Sequence, residues 1–110
     1  MTPSGRLLEV ARGDRPADLL FTSARVVNTF TGEIEKTSVA VSEGRIAGLG
    51  DYTEAVQVVD LGSRYLVPGL IDGHVHIESS YLDVGQYARA VVPRGTLALV
   101  TDLHEIANVA

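Results

Sequence analysis

From Leu70 to Thr101 the residues read strand, helix, strand, and that order leaves few folds open. Leu70-Ile71-Asp72-Gly73-His74-Val75-His76 alternates little, as in a strand buried on both faces of a parallel sheet. Ser80-Tyr81-Leu82-Asp83 fits the Ser-x-x-acid pattern of a helix start. Val84, Ala88, Val91 and Val92 then recur at i, i+4, i+7 and i+8 and form one apolar stripe. Pro93 and Gly95 stop the helix, and Thr96-Leu97-Ala98-Leu99-Val100-Thr101 is a second strand of the buried type. A helical crossover between two strands makes them parallel. Pro68-Gly69, where the periodicity changes, marks a boundary between residues 1–67 and 68–110.

Both strands run into polar residues that can bind metal. The first ends at His74, His76 and Glu78, the second at Asp102, His104 and Glu105. In βα folds chemistry gathers at the carboxyl ends of parallel strands. All three histidines of the chain therefore fall at one mouth. If the first strand continues to His76, alternation puts the imidazoles of His74 and His76 on one face. Such a pair is half of a metal site, or else two ordinary polar residues at a strand end. Glu78 either takes part in the chemistry or orients an imidazole from behind. Ser79 and Ser80 read as helix caps, since no base stands at a triad-like spacing.

Before Pro68 the pattern is one of short strands and turns. Arg6 to Arg12 has the length of one or two helical turns, ended by Gly13, and reads as a loosely docked surface segment. Leu19–Phe21, Arg25–Asn28, Ser38–Ser42, Arg45–Leu49, Val56–Asp60 and Tyr65–Val67 are rich in strand formers. Glu43-Gly44 is a compact hairpin turn. The expectation is a small antiparallel sheet or half-sandwich. Asp18, Asp51 and Asp60 sit at strand ends or turns and read as structural.

Composition removes several function classes. The chain has 110 residues, 45% of them hydrophobic, enough for one small domain with a core. A net charge of -5 argues against nucleic acid or an anionic membrane as partner. With no cysteine there is no disulfide and no thiolate site. The cytidine-deaminase type of zinc site is excluded too, because His76-Ile77-Glu78 lacks its Pro-Cys-x-x-Cys partner. Nothing reads as a signal peptide or membrane span, so a cytoplasmic protein is expected.

Pro68-Gly69-Leu70-Ile71-Asp72-Gly73-His74-Val75-His76 resembles the Pro-Gly-x-Ile-Asp-x-His-x-His run of the metal-dependent amidohydrolase superfamily. Within it, His76-Ile77-Glu78-Ser79-Ser80 and His104-Glu105-Ile106-Ala107-Asn108-Val109 resemble the signature strings of the adenine deaminase family. Leu103 departs from the Pro usual before that second His-Glu and leaves the loop less rigid. The resemblance implies a β-rich, sandwich-like accessory part over residues 1–67. It implies the first βαβ unit of a (β/α)8 TIM barrel over 68–110.

The activity implied is hydrolytic deamination of adenine to hypoxanthine and ammonia, with two divalent ions per site, manganese or iron first and zinc also suited. His74 and His76 would be metal ligands. Asp102, His104 and Glu105 would serve an adjacent ion or the substrate, with Glu105 and Glu78 as catalytic candidates. A homo-oligomer is expected of the full-length enzyme. A barrel takes eight strand-helix units and roughly 250 residues, so the chain reads as an amino-terminal piece, inactive alone. Two rivals stand beside this reading. A dihydroorotase- or hydantoinase-like cyclic amidase would share the histidine pair but not the two strings, and a non-catalytic β-rich binding module would hold no stoichiometric metal.

Overall fold

The computed structural model describes residues 2–102. Two compact units divide the chain, Met1–Val67 and Pro68–Ala110. His104 and Glu105 lie outside the described residues.

The first unit opens with helix α1, Gly5–Arg12. The Ser4 hydroxyl caps it by accepting the Leu7 N–H at 3.0 Å. Gly13 ends it in the left-handed region, φ 80°, where a residue without Cβ pays least. The segment is not loosely docked. Val10 is fully buried and packs with Ala17, Leu20 and Ala40. One apolar residue on an otherwise polar turn is a weak sequence signal, yet it seats the helix.

Strands β1 (Ala17–Val27), β2 (Ile34–Ser42), β3 (Arg45–Gly50), β4 (Ala55–Asp60) and β5 (Tyr65–Leu66) form one five-stranded sheet. Its order is β3-β2-β1-β4, with β5 also against β1. Leu19–Phe21 and Arg25–Val27 belong to a single strand, kinked by a bulge between Phe21 and Ala24. β2 pairs antiparallel with β1 and β3, and Glu43 and Gly44, both at positive φ, make the tight turn between β2 and β3.

The sheet is mixed, which corrects the antiparallel expectation. β4 and β5 run parallel to β1. β3 ends with Gly50 opposite Ser38, while β4 begins with Ala55 opposite Ala17. Residues 51–54 thus return the chain to the start of β1, and β4 must leave in the same direction as β1. Tyr52 fixes this crossing by donating its hydroxyl to the Ala11 carbonyl at 2.7 Å. Gly48 makes room for it, since a Cβ there would stand 2.1 Å from the Tyr52 oxygen.

In the second unit, β6 (Leu70–Asp72) and β7 (Thr96–Leu99) pair in parallel across helix α2 (Val84–Val91). The α2 cap is Asp83, which accepts the Gln86 N–H at 2.9 Å, and not Ser80. Tyr81 at φ 59° breaks the chain between the two candidate caps. Val84, Ala88, Val91 and Val92 line an apolar groove with Leu97 and Leu99 of β7. Leu70, Ile71, Leu97 and Val100 remain exposed, so these strands lack the two-sided cover that their composition predicts. No helix among the described residues is long and apolar enough to cross a membrane.

Asp18 ties the first unit together. It accepts the Glu43 N–H at 2.8 Å and pairs with Arg6 of α1. The Glu43 N–H first, then the Arg6 charge, hold its carboxyl below the ordinary aspartate value. A lowered folded pKa gives stability that is full above about pH 4 and is lost as the pH falls through the folded value. Asp18→Asn is therefore expected to melt below the parent at neutral pH. Thermal scans should show that gap closing as the pH drops below about 4.

Candidate metal centre

The site starts from the pairing of β6 with β7. Their register sets Leu70 opposite Thr96 and Asp72 opposite Leu99. Two backbone bonds extend it past the strands. Val100 donates to the Asp72 carbonyl at 2.8 Å, and Val75 donates to the Val100 carbonyl at 3.1 Å. The segment carrying His74 and His76 therefore leaves beside the segment that leads to Asp102.

The strand does not reach the histidines, contrary to expectation. It stops at Asp72, whose side chain accepts the His74 N–H at 3.1 Å. That bond is a local turn device which competes with further pairing. Asp72-Gly73 carries this turn signal in the sequence itself. After His76 the chain enters a 3-10 turn, Ile77–Ser80, closed by Tyr81 in the left-handed region. The Ser80 hydroxyl donates to the Ile77 carbonyl and accepts the Leu82 N–H, so it locks this turn rather than capping α2. Ile77 is 3% exposed and lines the apolar groove with α2 and β7. Its burial fixes the backbone between His76 and Glu78.

The two imidazoles meet although both lie past the end of the strand. Their ring centroids are 4.8 Å apart, edge to face at 85°. That separation lets one nitrogen of each ring meet one ion at bonds of about 2.0–2.1 Å. Glu78 stands behind His76, with Oε1 3.4 Å from Nδ1. The Glu78 side chain is only 6% exposed, and its Oε2 is buried without a hydrogen-bond partner. A buried carboxylate oxygen left so is costly, and a nearby cation relieves the cost.

Asp102 is exposed, two positions beyond Val100. Among the described residues no three His, Asp or Glu side chains group around one point. The donors brought together are thus His74 and His76, with Glu78 against the second ring. A pair of imidazoles backed by a buried carboxylate fits a divalent ion, as an incomplete ligand set.

No family model matches the chain. It is 60% identical over 108 residues to a protein named adenine deaminase from Dehalococcoides mccartyi, covering 98% of this chain and 19% of that one. It is 55% identical over 103 residues to an adenine deaminase of Kosmotoga olearia, covering 94% of this chain and 18% of the relative. Among solved structures it resembles an N-acyl-D-glutamate deacylase from Bordetella bronchiseptica, complexed with zinc and a phosphonate inhibitor. The TM-score is 0.65 at 21% identity, over 79% of this chain and 19% of that one. A prolidase complexed with N-methylphosphonate-L-proline follows, with a TM-score of 0.60 at 19% identity, over 76% of this chain and 25% of the other. These two likenesses are of fold. The chain spans about a fifth of the length of the curated relatives it matches. Over nearly all of its own length the chain is similar in sequence to proteins named adenine deaminase.

Proposed function

We propose that the chain supplies part of the metal centre of a hydrolase that deaminates adenine to hypoxanthine and ammonia. The observation that carries this reading is the edge-to-face pair of His74 and His76 at 4.8 Å, just past two parallel strands. The 60% identity to a protein named adenine deaminase supports the choice of substrate. The pair β6 and β7, with α2 between, is proposed as the first βαβ unit of a (β/α)8 barrel. The exposed apolar side chains of Leu70, Ile71, Leu97 and Val100 support this, because such strands are normally covered on both faces.

His74 and His76 are proposed to hold a divalent ion, with manganese, iron and zinc all suited to imidazole and carboxylate donors. When bound, such ions supply a water that ionises near neutral pH and is fixed in orientation for attack on the ring carbon bearing the amino group. Glu78 holds His76 by Nδ1, so the ring nitrogen assigned to the ion is Nε2. Asp102, His104 and Glu105 follow β7 in sequence and are proposed for an adjacent ion or the substrate, with Glu105 as a proton carrier. The remaining ligands are assigned to parts of the protein outside these 110 residues.

Replacing His74 or His76 with Ala in the full-length protein is expected to reduce bound metal and to lower adenine turnover by orders of magnitude. Metal analysis of dialysed protein and loss of adenine absorbance measure both. Full metal occupancy with normal turnover in both variants would contradict the assignment. Glu78→Gln keeps the shape but removes the charge behind His76. Competition with a chelator should show metal affinity weakened about 10–100-fold with little change in melting temperature.

A further inference from the structure

The first unit holds a second cluster of polar side chains that the metal centre does not use. At the β1 bulge a cleft of about 290 Å³ opens. Arg25, Lys36, Ser38, Ser63 and Asp51 are among the residues lining it. Arg25 and Lys36 stand directly opposite each other across the β1–β2 pair. Like charges in that position destabilise a sheet. Among the described residues, no carboxylate comes within ion-pair distance of either. The Arg25 Nε–H is buried and has no acceptor. The guanidinium is nonetheless held in place, 5.5 Å over the Tyr65 ring.

A small oxyanion would neutralise the opposed cations, accepting from the outer nitrogens of the Arg25 guanidinium and from the Lys36 ammonium, with the Ser38 and Ser63 side chains on the same cleft lining. We propose that this cleft is a binding site for a small polyvalent oxyanion of the phosphate type, set by Arg25 and Lys36. The carboxylate of Asp51 on its wall opposes an anion and keeps the affinity modest. The bulge serves the site by turning β1 out of regular pairing beside Arg25.

The test is a calorimetric titration of the full-length protein with inorganic phosphate at low ionic strength. Lys36→Gln should raise the phosphate Kd about tenfold, and Asp51→Asn should lower it several-fold. Both positions are on the surface, and unchanged melting in chloride buffer would show that the variants fold. Absence of phosphate binding would overturn the proposal. So would a Kd that is the same in Lys36→Gln as in the parent, because phosphate would then be binding elsewhere, for instance at the metal centre.

Discussion

The parallel register of β6 and β7 is the constraint on which the candidate centre depends. Val100 is bonded on one side to Asp72 and on the other to Val75, so it clamps the first chain exit against the second. A slip of one residue would turn every following side chain to the other face. It would carry His74 and His76 away from the exit that bears Asp102. The clamp is backed by packing at Ile77, the fully buried hydrophobic residue among the described residues of this unit. Backbone pairing sets the height of the site, and Ile77 sets the turn from which His76 and Glu78 emerge.

Much of this was legible from residue pattern. A helical stripe between two apolar runs has one common outcome, a parallel pair joined by a crossover. Histidines and carboxylates just past both runs mark the end proposed for the metal centre. Less legible was the way His74 and His76 are brought together. Strand alternation gave a reason for their meeting, but the Asp72 side chain ends the strand before either residue. The Asp72 turn lies before both rings and the 3-10 turn after them, with His76 itself in an extended backbone conformation, so the rings meet on a short segment beyond the regular strand. The helix cap was ambiguous in a similar way, because Ser80 and Asp83 both suit the role and the left-handed Tyr81 decides between them.

The direction of β4 shows a different limit. Its composition marks a strand, but whether it runs with or against β1 depends on where residues 51–54 bring the chain back. That return is fixed by Tyr52 reaching Ala11, two residues far apart in sequence, and by the missing Cβ of Gly48. Local pattern carries neither fact. Elsewhere in the sheet local choices agree with the fold, as at Glu43-Gly44, where the turn residues and the strand twist demand the same backbone. Arg25 opposite Lys36 is the exception, and places where local consistency fails are where function is expected.

The central claim is that His74 and His76 bind one ion together. Anomalous diffraction from crystals of the full-length protein loaded with manganese tests it most directly. The account predicts an anomalous peak bonded to one nitrogen of each ring, with Glu78 retained behind His76. A fully occupied ion elsewhere in the protein, with both imidazoles outside its coordination sphere, would contradict it.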